Sequence, residues 1–400
     1  MSLLGNNRMR SLTRLALEPF RFFFPLGTGC AVLGLAMWVA FWLAPTTPYP
    51  GPGHALIMMH GFVASFIIGF LLTMLPRALG VASASIWHVL IAASGIIAGS
   101  AAAYVGALQV AWICHLATLA VPAGFAVLRI GKRASPLPTS FICAAAAGVA
   151  AISGSILVVS AHVGAPSWLG ALGRALDLQA FPLLMILGIG SFLLPKLGGP
   201  SAAAVQSHGA GVYVAMGLTV LASFVLEHVP CTHDPIVRQR IAYALRAAVF
   251  AWFVVRQVLP ARLHIDAPMH LRSIPFATAS IAVGLALPVI WPQFALAWLH
   301  LVYIGGITWL TLVVASRVLV GHAPLRGSPS IALIVVYSGL IVVGTLVRVA
   351  AGVWPGQAYV LHLAVAALVT IAGIAVWSAI LVTRCWSFPP SHRRPPRLNA

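Results

Sequence analysis

Apolar runs of about twenty residues recur from one end of this chain to the other, and about twenty is the number a helix needs to cross the hydrocarbon of a bilayer. Cut at Pro, Gly or charge, they fall at roughly 22–44, 54–76, 86–108, 110–129, 139–161, 176–195, 208–227, 240–259, 269–290, 294–320, 329–351 and 358–383. Backbone groups in lipid must be satisfied within the segment, so such runs are helices. The expected fold class is all-α, a polytopic integral membrane protein of about twelve transmembrane helices. A cytoplasmic N-terminal arm (1–21), a transmembrane helical domain (22–383) and a cytoplasmic basic tail (384–400) divide the chain. The 400 residues are 61% hydrophobic and 7% charged, against about 25% charged in a soluble domain. The lipid bilayer is therefore the first partner.

The 23 basic residues against 5 acidic ones give a net charge of +18. Alternating the loops puts Arg8, Arg10, Arg14, Arg21, Arg77, Arg129, Lys132, Arg133, Lys196, Arg256, Arg262, Arg272, Arg317, Arg326, Arg384, Arg393, Arg394 and Arg397 on one side, 18 of the 23. Only four, Arg174, Arg238, Arg240 and Arg348, fall on the other. Cytoplasmic loops carry the Lys/Arg excess, so both termini are expected in the cytoplasm and no nucleic-acid partner is implied. Arg246 lies about one turn inside the eighth run and is read as snorkelling outward, with an interior partner as the alternative. Four arginines precede a first run too long for a signal-peptide core, so that span is expected to be retained. Leu12, Leu15 and Leu17 between Arg10, Arg14 and Arg21 suit either a short interfacial helix or a solvated arm. Cys30, Cys114, Cys143, Cys231 and Cys385 are scattered without C-x-x-C spacing and read as small core residues. No nucleotide-binding or hydrolase motif is present, which removes a primary pump.

The histidines sort by depth. With about 1.5 Å of rise per residue, His60, His115, His300 and His362 lie about 6 to 10 Å from the outer surface, all on even-numbered spans. His54 and His162 fall at the outer rim, while His88, His208, His270 and His322 fall near inner ends. A single histidine near a helix end commonly bonds a carbonyl or headgroup water. A layer of four argues for more. Asp177 and Glu227 are placed only at span ends, so a carboxylate proton relay has little to work with, and imidazoles without carboxylates suit a haem or a borderline metal such as copper.

Two stretches carry a family likeness. Span two reads GHALIMMHGF and continues GFLLTMLP; span ten reads HLVYIGGITWLTLVVASRVLVGHAPLRG; PFRFFF lies upstream of both. These resemble the NnrS family, bacterial inner-membrane haem- and copper-containing proteins linked to denitrification and nitric oxide stress. The second helix of that family typically opens W-H-A-H-E-M-x-F-G-F; His54, Met58, Gly61, Phe62, Gly69 to Thr73 and Pro76 match. The tenth-helix pattern is met by His300, Leu301, Gly305, Leu312, Arg317, Val318, Gly321 and His322. The second histidine and the glutamate of the family fall on Leu56 and Ile57, and the G-G-R-x-I-P closing its sixth span falls on Gly190, Ser191, Phe192 and Pro195 without the arginine. The chain reads as a divergent member, in which His60, four residues after Leu56, restores an imidazole to the same helical face.

The resemblance implies a multi-pass protein of the bacterial inner membrane that holds haem, and copper on the resemblance alone, and meets nitric oxide or a related small ligand. His60 and His300 are the expected axial pair, with His54, His115 and His362 as further haem ligands; His60, His300, His54 and His322 are the metal-ligand candidates, His322 for an inner site with His88 or His270. Met58, Met59, Phe62, Trp298 and Trp309 suit the walls of a macrocycle, although such residues are more often helix packing. The alternative is a secondary transporter of a small solute without haem, for which the Pro- and Gly-broken FPLLMILGIGSFLLP supplies unwound backbone; a structural or assembly subunit is a third. Reporter fusions test the orientation: fusions within 45–53 and 229–238 are expected to report the periplasm, and a cytoplasmic signal at either overturns it.

Overall fold

A computed structural model describes residues 16–46, 48–197, 208–261, 267–322 and 329–385. The arm up to residue 15, Arg262, Arg326 and the tail from residue 386 lie outside the described residues. Twelve helices long and apolar enough to span a membrane are present among those described: α1 (Phe20–Leu43), α2 (Gly51–Leu79), α3 (Ile86–Tyr104), α4 (Leu108–Ile130), α5 (Phe141–His162), α6 (Ser167–Leu197), α7 (Ala210–His228), α8 (Pro235–Val258), α9 (Met269–Ile290), α10 (Pro292–His322), α11 (Ile331–Val353) and α12 (Tyr359–Cys385). No strand occurs among them. The fold class and helix count expected from the hydropathy pattern are those observed.

Two helices begin well before the apolar run that marks them. α6 starts at Ser167 rather than 176, because SWLGALGRA is helical although two glycines and Arg174 interrupt its apolar pattern. Asp177, expected at a span end, therefore lies a third of the way along α6 and is fully buried. α8 starts at Pro235, with Asp234 as N-cap accepting from the Ile236 backbone N–H at 2.7 Å; Pro at the first helical position and Asp at the cap are the residues such a start favours. Arg246 consequently lies deep in α8. It does not snorkel: it is fully buried, donates to Glu227 and to the Ala242 carbonyl at 3.1 Å, and packs over the rings of Phe224 (4.2 Å) and Tyr243 (4.1 Å). Removing a buried cation from water costs several kcal/mol unless it is paired, which explains the interior partner.

Consecutive helices pack side by side and α12 returns to α1, which closes a ring. Within it α2, α6 and α10 are the longest and most enclosed spans. Each of these three contains a π-helical segment, at Ile57–Val63, Leu176–Ala180 and Leu301–Thr308; such wider turns often mark functional sites. The PFRFFF stretch supplies the α1–α2 contact, where Phe24 stacks on Phe66 at 4.7 Å and Phe20 and Phe23 pack around Gly69.

Asp177 is placed by a backbone contact between α5 and α6. A Cβ on Gly154 would sit 2.6 Å from the Gly173 carbonyl and 2.9 Å from the Asp177 amide, closer than side chains tolerate. Small residues permit such approach between membrane helices. Gly154→Val is expected to destabilise the fold by about 1–3 kcal/mol through overpacking and to displace Asp177, read as a lower detergent-phase melting temperature; an unchanged melting temperature rules out the close crossing.

Candidate functional site

Two groups of residues lie within reach of one another near the end of the bundle that holds the α1–α2 connection, the end that the loop charges predict to be the outer one. The first is built around Asp177. His60 donates from Nε2 to Asp177 Oδ1 at 3.0 Å, and the Ser155 hydroxyl donates to Oδ2 at 2.6 Å. His115 brings Nε2 to 3.4 Å from Oδ2 without hydrogen-bond alignment. The imidazoles of His60 and His115 are parallel, 3.5 Å apart at their centroids with 2° between planes, and Trp112 meets His60 edge-on at 4.7 Å. All three ligating side chains are buried, and one atom from each of His60, His115 and Asp177 lies within 4.8 Å of the others. His60 Nδ1 and both nitrogens of His115 have no hydrogen-bond partner. Buried polar atoms are normally satisfied, so two imidazoles and a carboxylate with orphaned nitrogens form a donor set suited to a borderline cation or a shared proton.

The second group lines a cavity of about 600 Å³ between α2, α6 and α10, closed outward by α1, α11 and α12, within the range of cofactor pockets, about 300–1,000 Å³. His54 and His300 both line it. The Nδ1 of His54 bonds the Gly34 carbonyl at 2.9 Å, and that of His300 bonds the Leu296 carbonyl at 2.7 Å. These bonds make Nδ1 the protonated nitrogen in each ring and leave Nε2 as an acceptor. Such a bond fixes the tautomer and orientation of a metal-binding imidazole. Trp38 meets His54 edge-on at 5.8 Å. Arg348 and Arg174 bring cationic groups to a wall that joins apolar Met58, Phe62 and Leu299 to the polar Gln179, His228 and Tyr303, and Nη1 of Arg348 is buried without a partner.

The geometry sorts the expected ligands differently from their depth. His60 and His300 are not brought together: His60 turns to Asp177 and His115, and His300 shares its cavity with His54. The expectation of imidazoles without carboxylates is corrected by Asp177, whose depth was hidden because α6 starts early. His115 joins the Asp177 cluster. His362 is exposed and lines neither group. His322, at the other end, accepts from Arg77 and donates from Nδ1 to the Val318 carbonyl at 2.9 Å, with Phe20 at 5.0 Å. Of its expected inner companions, His88 bonds Ser85 at the start of α3, and His270 is buried with neither ring nitrogen paired. Met58, Met59 and Phe62 line the outer cavity as expected of a macrocycle wall, whereas Trp298 and Trp309 do not. Ser155, Arg348 and Gln179 were not singled out from the sequence; one charged residue inside the eleventh run was the available signal for Arg348.

A protein-family model described as NnrS protein matches residues 14–387. No curated protein matches the chain.

Asp177→Ala leaves the Ser155 hydroxyl and His60 Nε2 without their acceptor, and each orphaned buried group costs about 1–3 kcal/mol. Thermal unfolding of the purified protein is expected at clearly lower temperature for Asp177→Ala than for Asp177→Asn, which keeps an acceptor. Equal stability of the two variants and the parent would show that this carboxylate does not tie α2, α4 and α5 to α6.

Proposed function

The chain belongs to the NnrS family, and from that premise we propose that it is a haem-holding membrane protein of the nitric oxide response, with His54 and His300 as the haem ligands. Family membership supports a membrane protein linked to nitric oxide; haem, its ligands and a metal are this reading's own. The observation that carries it is that His54 and His300 line one cavity, each with Nδ1 committed to a backbone carbonyl and Nε2 left to ligate; His228, with Nδ1 on the Phe224 carbonyl at 3.0 Å, lines the same cavity and is a third imidazole of the same kind. The cavity passes the test of fit: its walls are mainly apolar, its volume suits a cofactor, and the unpaired Arg348 Nη1 supplies a cation for a carboxylate. A haem bound there would supply an iron able to bind nitric oxide in place of one of the two imidazoles. The chain's residues hold its ligands in register, screen it from water and neutralise its carboxylates.

His60, His115 and Asp177 would hold a metal ion of the imidazole-preferring class, copper being the family's suggestion. The orphaned nitrogens of both rings carry this part of the reading. His60, which stands one residue from the cavity-lining Met59, thus belongs to the Asp177 group rather than to the cavity of His54 and His300. The cytoplasmic termini rest on the charge asymmetry and the inner-membrane location on the family resemblance, and both remain part of the proposal. No observation places His362 or His322 at either group, and neither is assigned a ligand role.

Purified protein is expected to show a stoichiometric Soret band. His300→Ala and His54→Ala should each abolish the low-spin spectrum or convert it to high spin, while His60→Ala and His115→Ala should keep it and lower bound metal at least tenfold by elemental analysis. Loss of the haem spectrum in His60→Ala but not in His54→Ala would restore the pairing of His60 with His300. A protein lacking any Soret band after expression with haem supply would leave the transporter reading.

A further inference from the structure

The three enclosed helices leave a second space between them, inward of the outer cavity. It has a volume of about 130 Å³ and is lined by Phe66, Phe70, Met185, Ile186, Leu310 and neighbours from α2, α6 and α10. Every lining residue is apolar except Thr278 and Thr311, and Thr278 turns its hydroxyl back to the Ile274 carbonyl at 2.9 Å. A buried water needs about two to four polar partners, and an engineered apolar cavity of about 150 Å³ stays dry and takes up xenon or benzene. By that measure the space offers a water almost no partners and suits small apolar solutes. Phe70, Leu71, Ile186 and Leu310 among its lining residues are half-buried, so the space reaches the surface of the described bundle.

Val63 and Ile307 line both cavities. They therefore form a wall common to the two, and each lies in a π-helical segment, Val63 at the end of Ile57–Val63 and Ile307 within Leu301–Thr308. Neither carries a polar atom beyond the backbone, so the boundary between the cavities is apolar at these two residues.

We propose that the inner cavity binds small apolar gas molecules, of the size of nitric oxide, oxygen or xenon, and passes them between Val63 and Ile307 to the outer cavity. The inference rests on the haem reading only for what waits at the far end. Such gases concentrate in hydrocarbon over water, and an apolar pocket among the helices offers them a route to the outer cavity that does not run past Arg348 and Arg174.

Xenon tests the cavity and needs no cofactor. Haem-free protein in nanodiscs is expected to show saturable xenon binding by 129Xe NMR, and Ile186→Trp and Leu310→Trp, which fill the space, are expected to abolish it. In haem-loaded protein, rebinding of carbon monoxide after photolysis is expected to slow at least tenfold in those two variants and to quicken in Ile307→Ala. Absence of saturable xenon binding in the parent protein overturns the proposal, as does a fatty acyl chain found in the cavity by mass spectrometry of protein that binds xenon only after delipidation. Rebinding unchanged in variants that have lost xenon would make the space a dead end and overturn the passage. Xenon binding in a protein that never loads haem would instead sink the haem reading and leave the gas site standing.

Discussion

A carboxylate at the depth of Asp177 is the constraint around which the outer half of the bundle is arranged. Even lenient insertion scales charge about 2.5–3.5 kcal/mol for an acidic residue at the middle of a membrane helix, and Asp177 has no exposure at all. Its two oxygens must therefore be met by donors, which come from two other helices, His60 on α2 and Ser155 on α5, while His115 on α4 approaches at 3.4 Å without hydrogen-bond alignment. The glycine crossing at Gly154 and Gly173 lets α6 approach α5 closely enough for the Ser155 bond to form. Packing and electrostatics here are one argument, since the small residues that let the backbones touch are also what holds the charge in reach of its partners.

That arrangement fixes where the cavities lie. α2, α6 and α10 are enclosed by the other nine helices but do not close on one another, and the gap between them is filled by the two spaces that meet at Val63 and Ile307. A π-helical segment in each of the three helices borders this gap at a similar distance from the outer end. Helices wound with regular i to i−4 bonds could pack more evenly; a wider turn in each keeps side chains aimed into the gap and onto its flanks at once.

The bilayer pattern was plain in the sequence because twenty-residue apolar runs admit one solution, and the twelve helices follow from it. Counting residues at a known rise set His60, His115, His300 and His362 in one layer, whereas the structure divides them: His60 and His115 lie with Asp177, His300 lines the cavity with His54, and His362 is exposed. What counting does not supply is azimuth. His60 and His300 stand at like depth yet face different neighbours, and only the packed helices decide which. The buried carboxylate was missed for a different reason: Gly170, Gly173 and Arg174 lower the apolar signal of the first turns of α6, so the helix was begun at 176 and Asp177 was put at its end. Arg246 was misplaced by the same effect at the start of α8, where Pro235 and the polar VRQR look like loop.

The argument that His60 restores the face of Leu56 assumed an α-helix, in which residues four apart are neighbours. From Ile57 to Val63 the helix is wound as π instead, and the rule does not carry across that start. At about 100° per residue even a regular helix would turn His54 and His60 about 240° apart over six residues, while Met58, four residues from His54, stays on the cavity side, as observed. α2 thus presents one imidazole to each group, and α6 does the same with Asp177 on one side and Leu178 and Gln179 on the other. An occupant of the outer cavity that pressed on Met59 or Leu178 would act on backbone one residue from His60 or Asp177, so the two groups share their scaffold and a change at either is felt by both.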